Sequence, residues 1–312
     1  MASATWAAVA APQGDLPAAL AGGDRPDQIL AAVHDLETFV AAFGAWLRDR
    51  QLQLLEAGPV TQAGDPAAAT PPSELWTRGL HQDLLKEHPA LALVNARLPA
   101  IEGEAERLRA LTSEQGRVPL PDYRRFLDQA LEMQGTLLHL LGDAWNRLAN
   151  IDPLTGLGNR AAMLRKLSIE CERNSRNRQA CCVAILDLDH FKTVNDRFGH
   201  HAGDTVLRSI ASLLAASVRP YDEVFRYGGD EFVLCLPNAD LRTAWAVVER
   251  LRLRAASWSV PIKHADALKV TLSIGVAPLS PAPGVTASLE LADAALYAAK
   301  ARGRNALVVR SS

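Results

Sequence analysis

The sequence predicts an all-α helical bundle followed by an α/β (α+β) domain whose central, mostly antiparallel sheet is flanked by helices. Three observations predict this. Residues 1 to 149 carry apolar side chains at three- and four-residue steps with almost no β-branched runs. From Asn150 onward, strand-like and helical patterns alternate. Within that second part "RYGGDEFVLC", residues 226 to 235, sets two glycines and two acids before an apolar run. A Gly-Gly pair between apolar runs predicts a tight two-residue hairpin turn. The adjacent carboxylates then lie on the lip of a buried strand, a costly place for charge unless something cationic sits there.

The 312 residues, 48% hydrophobic and 22% charged, suffice for two ordinary domains with buried cores. A net charge of −2 gives no whole-surface attraction to nucleic acid or anionic lipid, so neither partner is expected. Cys171, Cys181, Cys182 and Cys235 lack the spacing of zinc or redox sites and read as reduced core residues. The N-terminus has no basic region ahead of an apolar one, and no run of 18 apolar residues occurs, so no membrane insertion and a cytoplasmic location are expected.

The bundle begins with "DQILAAVHDLETFVAAFGAWLRDRQLQLLEAG", a long amphipathic helix. "GPVTQAGDPAAATPPSE" then reads as a surface loop. Helices are expected at about 73 to 87 and 90 to 112, and from Pro121, giving a bundle of about four. In the last of them Leu127, Leu131, Gln134, Leu138, Leu141, Trp145 and Leu148 alternate steps of four and three. That heptad seam fits either a coiled-coil stalk or a bundle helix, with Gln134 setting register against a partner helix. The expected division is 1–120 as a regulatory bundle, 121–149 as a coiled-coil-like linker and 150–312 as the catalytic domain.

The second part opens with an Asp-Pro turn and a small-residue loop, "IDPLTGLGNR", leading into a helix. Strands are expected at "ACCVAILDLD", "EVFRYG", "DEFVLCLP" and "LKVTLSIGVAP", with helices at about 203 to 217, 240 to 256 and 287 to 301. The first strand is apolar without a break until Asp187 and Asp189, which alternation sets on one face at its mouth. If the 225 to 235 hairpin is its neighbour, Asp187 and Asp230 converge. Hard oxygen ligands clustered at a sheet edge suit Mg²⁺, which binds through one or two carboxylates plus substrate phosphates; turn and cap roles are the alternative for such acids. The following "HFKTVNDRFGHHAGD" adds a lysine suited to phosphate. It also adds Asn195 and Asp204, an amide and a carboxylate that match the O6 acceptor and the N1–H and N2–H donors of guanine.

In order, "DPLTGLGNR", "LDLDHFKTVNDRFGHHAGD", "RYGGDEF", "LSIGVA" and "ADAALYAAKARGRN" resemble the motifs of the GGDEF domain, the diguanylate cyclase family, over about half the chain. The resemblance implies a nucleotide-cyclase, palm-like fold. It implies a homodimer that condenses two GTP, one per protomer, into cyclic di-GMP with release of two pyrophosphates. By position, Asp187, the Leu188 carbonyl and Asp230 would hold two divalent metals, Mg²⁺ or Mn²⁺. Lys192 would meet the phosphates, Phe191 and His200 would line the nucleotide site, and Asn195 with Asp204 would read guanine. Lys300 and Arg304 would face the β and γ phosphates, while Gly228 and Gly229 would let the backbone approach the α-phosphate. Asp230 is the first choice as base for the attacking 3′-hydroxyl and Glu231 the second. Arg219 and Asp222 match the family's RxxD product-inhibition site, to which Arg250 would add a contact. Gly158 stands where the family more often has proline and is expected to loosen its loop. The alternative function, a GTP or cyclic di-GMP receptor without turnover, would show a broken "GGDEF", which this chain does not.

The first 149 residues are similar in layout to the zinc-sensing CZB bundle, but Phe43 and Trp76 stand where that pattern has histidine and cysteine. His88 is followed four residues later by Ala92. Without those ligands zinc is not expected. His34, His81, His88 and His139 read as solvated or packed side chains.

Overall fold

A computed structural model describes residues 26–55, 70–177, 179–262, 265–282 and 284–311. Most of the loop expected at 58 to 74, and the N-terminal segment, lie outside the described residues. The chain divides into two compact units, one spanning Asp24–Pro153 and the other containing Leu154–Ser312.

The first unit is helical: α1 (Pro26–Leu55), α2 (Pro72–Arg78), α3 (His81–Leu84), α4 (Ala90–Gln115) and α5 (Leu120–Ala149). By length and composition α1 could cross a membrane, but it buries Ile29, Val33, Leu36, Phe39, Phe43 and Leu47 and packs against α3 and α5 as a core helix would. The helix expected over 73 to 87 breaks into α2 and α3 at Gly79, where a Cβ would lie 2.0 Å from the His81 ring and 2.7 Å from Asp35 Oδ2. Helix α4 ends at Gly116, whose left-handed φ of 65° lets its N–H reach the Thr112 carbonyl.

Helix α5 starts with a proline in its first turn, Asp122 beside it, and ends with Arg147, charges that suit the helix dipole. It is a bundle helix, burying Phe126, Ala130, Met133, Leu137, Leu140 and Ala144 at steps of four and three. Each large one contributes about 1.5–3 kcal/mol. The heptad seam predicted from sequence lies one residue further round and stays outside this core. Leu131 is 49% exposed and Leu138 54%.

The second unit contains α6 (Arg160–Asn177), β1 (Cys181–Leu188), α7 (Phe191–Phe198), α8 (His200–Ala215), β2 (Glu223–Arg226), β3 (Glu231–Pro237), α9 (Leu241–Ser257), β4 (Ser259–Ile262), β5 (Ala265–Lys269), β6 (Leu272–Pro278), α10 (Val285–Ala301) and β7 (Leu307–Val309). The main sheet has the order β2-β3-β1-β6-β7, with only the β6–β7 pair parallel. Central strand β1 is buried along its whole length. Cys182, Ala184, Leu186 and Leu188 enter the core shared with α8 and α9, and Cys181, Val183 and Ile185 the core shared with α6 and α10. Burial on both faces is why the strand reads as an unbroken apolar run. All four cysteines are free and buried.

Several expectations need correction. "LKVTLSIGVAP" is two strands, β5 pairing with β4 in a separate hairpin and β6 in the main sheet. The segment after β1, which the sequence left unassigned, is helix α7. The "YGGD" connection is not a two-residue turn: Tyr227 to Asp230 join β2 to β3, neither glycine has positive φ, and the Tyr227 N–H donates to the Glu231 carbonyl at 2.9 Å. Gly158 does not loosen its loop. It bridges to Phe225, its carbonyl accepts the Arg226 N–H at 2.9 Å, and a Cβ there would lie 2.6 Å from the Phe225 ring.

Candidate active site

Strand pairing builds the site. In the β1–β3 register Asp187 stands opposite Glu231, and the Leu188 N–H donates to the Asp230 carbonyl at 3.2 Å. The carboxylates of β1 and of the hairpin therefore share one sheet edge, as the sequence suggested. The hairpin tip is braced by Arg226, which donates to the Gly229 carbonyl at 2.8 Å. A Cβ on Gly228 would lie 2.9 Å from Glu231 Oε2, whereas one on Gly229 would point into open space. The glycine pair keeps Glu231 in place and the loop's outer side clear.

Helix α10 supplies the cation. Gly275 of β6 lets it approach closely, because a Cβ there would come within 2.1 Å of the Ala292 carbonyl oxygen and 2.2 Å of the Leu296 nitrogen. Lys300 Nζ then lies 2.7 Å from Asp187 Oδ2. Burial pushes the Asp187 carboxyl above the usual range, the Lys300 ammonium opposes that, and Asp230 and Asp189 add to the rise. Glu231 is raised by burial and then by Asp187. Among the described residues no three or more His, Cys, Asp or Glu side chains form a ready-made metal cage. The donor set of two carboxylates and a backbone carbonyl suits a hard cation that keeps positions for phosphate and water.

The guanine-reading candidates lie on α7 and α8, which meet at Gly199 with φ 82°. Gly203 was not singled out from sequence, although "HAGD" contains it. A Cβ on Gly203 would fall 1.9 Å from Asn195 Oδ1 and 3.1 Å from Phe191 Cζ, so this glycine packs under both side chains. Phe191, Asn195 and Asp204 are half-buried there; Lys192 and His200 stand exposed on the surface. Arg304 lies just beyond α10, exposed, in left-handed backbone with φ 63°.

Asp189, which the sequence sets beside Asp187, is buried as a hydrogen-bond acceptor. It takes the Thr271 hydroxyl at 2.6 Å, the Ser273 hydroxyl at 2.6 Å and the Asn305 N–H at 2.8 Å.

Arg219, Asp222 and Arg250 come together at a separate corner. The Arg219 N–H donates to Asp222 Oδ2 at 3.1 Å, and Arg250 donates to the Ser217 carbonyl at 2.8 Å. Burial raises the Asp222 carboxyl, and Arg219 and then Arg250 oppose it. In the bundle, Phe43 and Trp76, at the positions compared with the zinc pattern, are core residues. His81 is buried against the Trp76 ring, and His88 and His139 both reach Asp143.

A mixed sheet flanked by helices, with an acidic hairpin and Lys300 meeting at its rim, defines an α/β domain. A profile described as "Diguanylate cyclase, GGDEF domain" matches residues 149–306, and the chain belongs to that family. It is 39% identical over 180 residues to the diguanylate cyclase DgcP of Pseudomonas aeruginosa, covering 58% of this chain but only 27% of DgcP. Its fold is similar to the coiled coil and GGDEF domain of DgcB from Caulobacter crescentus in complex with c-di-GMP, with 32% identity and a TM-score of 0.55 over 60% of this chain and 98% of that one. The diguanylate cyclase SiaD of Pseudomonas aeruginosa, solved with its activator SiaC, is 31% identical with a TM-score of 0.52, over 86% of this chain and 97% of that one.

Proposed function

We propose that this chain is a diguanylate cyclase that condenses two GTP into cyclic di-GMP with release of two pyrophosphates, in the cytoplasm and as a homodimer with one GTP per protomer. The observation that carries this reading is the β1–β3 register, which sets Asp187 opposite Glu231 beside Asp230. Asp187, the Leu188 carbonyl and Asp230 would hold Mg²⁺ or Mn²⁺, two per site. Metals bound there would supply charge withdrawal from phosphorus and a lowered pKa for the attacking hydroxyl.

The chain's own residues do the rest. Asn195 and Asp204 fix the guanine, with Phe191 and His200 lining the nucleotide site. Lys192, Lys300 and Arg304 hold the phosphates and stabilise charge that builds up during in-line displacement. Gly228 and Gly229 leave the backbone within reach of the α-phosphate. Asp230 takes the 3′-hydroxyl proton of the opposing GTP, with Glu231 as the second choice. Most of the acceleration comes from bringing two GTP face to face, which makes dimer geometry the control point.

The exposed Leu131 and Leu138 of the seam support dimerisation through 121–149, with 1–120 regulating 150–312. Arg219, Asp222 and Arg250 bind the product and slow the enzyme. The likeness to SiaD, which extends over most of both units, supports a regulatory role for the bundle. Turnover of GTP by the full-length chain, with Asp230→Ala as its inactive counterpart, tests the reading.

A further inference from the structure

Gly303, Arg304 and Asn305, directly after α10, all have positive φ, at 101°, 63° and 43°. Only the first is glycine. Left-handed backbone is strained for arginine, less so for asparagine, and persists where the surroundings over-determine it. Here two groups hold the turn. From the β1 side, the buried Asp189 carboxylate accepts the Asn305 N–H at 2.8 Å while Thr271 and Ser273 donate to it at 2.6 Å each. From the α9 side, Arg252 Nη1 donates to the Asn305 carbonyl at 3.0 Å and to its side-chain Oδ1 at 2.8 Å. Arg252 is in turn gripped by both oxygens of Glu249, at 2.8 and 2.6 Å. Every contact of the clamp goes to Asn305; Arg304, at the centre of the turn, has no side-chain partner among the described residues.

We propose that Asp189 and Arg252 are positioning residues, a two-sided latch that fixes the 303–305 turn so that Arg304 is presented to the β and γ phosphates of GTP. The inference rests on the reading of Arg304 as a phosphate ligand given above. Asp189 touches neither substrate nor metal in this account; its one hydrogen bond to the turn is anchored by the two it accepts from Thr271 and Ser273. Presentation of a preset guanidinium removes the entropy of ordering that turn at binding.

The test compares Arg252→Gln, Asp189→Asn, Arg304→Ala and the double variant Arg252→Gln/Arg304→Ala in the full-length chain, by equilibrium binding of GTP and of GMP. Arg252 is 15% exposed, and circular dichroism of each variant shows that it has folded before its binding is read. The latch predicts that Arg252→Gln weakens GTP about tenfold, the scale of one charged hydrogen-bond pair. GMP, which lacks the β and γ phosphates, keeps its affinity, and the double variant is no weaker than Arg304→Ala alone. Additive losses, an equal loss for GMP, or unchanged GTP affinity in Arg252→Gln beside a weakened Arg304→Ala would overturn the latch and spare the phosphate reading. Unchanged GTP affinity in Arg304→Ala would overturn that reading and the latch with it.

Discussion

Lys300 Nζ lies 2.7 Å from Asp187 Oδ2, so the lysine proposed for phosphate and the carboxylate proposed for metal neutralise each other across the sheet edge. Asp187 is nearly buried while Lys300 is one-third exposed, which leaves the ammonium free to swing towards an arriving phosphate. The pair answers the cost of charge at this lip: the acids are held by an internal cation at the site proposed for metal and nucleotide.

Removing that cation separates the two roles. In Lys300→Met, turnover of GTP should fall about tenfold or more, the loss expected for a phosphate-binding charge. Binding of Mn²⁺ without nucleotide should strengthen several-fold, since the metal no longer competes with an ammonium for Asp187. Titration calorimetry with Mn²⁺ reads the second effect, and weaker Mn²⁺ binding would show that Lys300 only supports the fold.

Gly203→Ala drives a methyl group into Asn195 and Phe191. Overpacking of this kind costs about 1–3 kcal/mol, so Tm should drop by a few degrees only. Discrimination of GTP from ATP should fall about tenfold as Asn195 leaves its place. Preserved discrimination would remove Asn195 from the guanine site.

Arg219→Ala should relieve inhibition by added cyclic di-GMP while the initial rate stays near that of the parent chain. Arg250→Ala should do so in part, because its guanidinium faces Asp222 from α9. Inhibition curves that superimpose on the parent's would place the product elsewhere.

The buried His81 ring pairs with Asp35 at 2.5 Å, yet burial outweighs that partner and lowers its pKa below 6.5. The folded chain thus refuses a proton that the unfolded chain accepts. Stability should be level above pH 6.5, fall as pH drops below that value, and level off again beneath the lowered folded pKa. Thermal unfolding from pH 7.5 to 5 should show this slope, and His81→Gln should flatten it. Equal slopes would mean that His81 titrates normally.

The acidic edge was legible because β1 is buried on both faces, which leaves an unbroken apolar run that makes the Asp187 carboxylate conspicuous. The heptad spacing of α5 was legible too, but not its use: residues one position earlier, from Phe126 to Ala144, fill the core. Periodicity fixes a stripe's spacing, and only packing decides which of two adjacent stripes is buried. The short elements escaped because little in them is periodic. Helix α7 has eight residues, and β4 contains Pro261. The glycines were the least legible. Gly158, Gly203 and Gly275 matter for the atom their missing Cβ would strike, and that atom lies far away in sequence or on another element.

The most direct measurement is incubation of the purified full-length chain with GTP and Mg²⁺, beside Asp230→Ala, with the products separated by chromatography. The account predicts cyclic di-GMP and two pyrophosphates per molecule formed from the parent chain, and none from a variant that binds GTP weakly but keeps its circular dichroism. GTP bound without turnover by the parent chain, or cyclic di-GMP still made by Asp230→Ala, would contradict it.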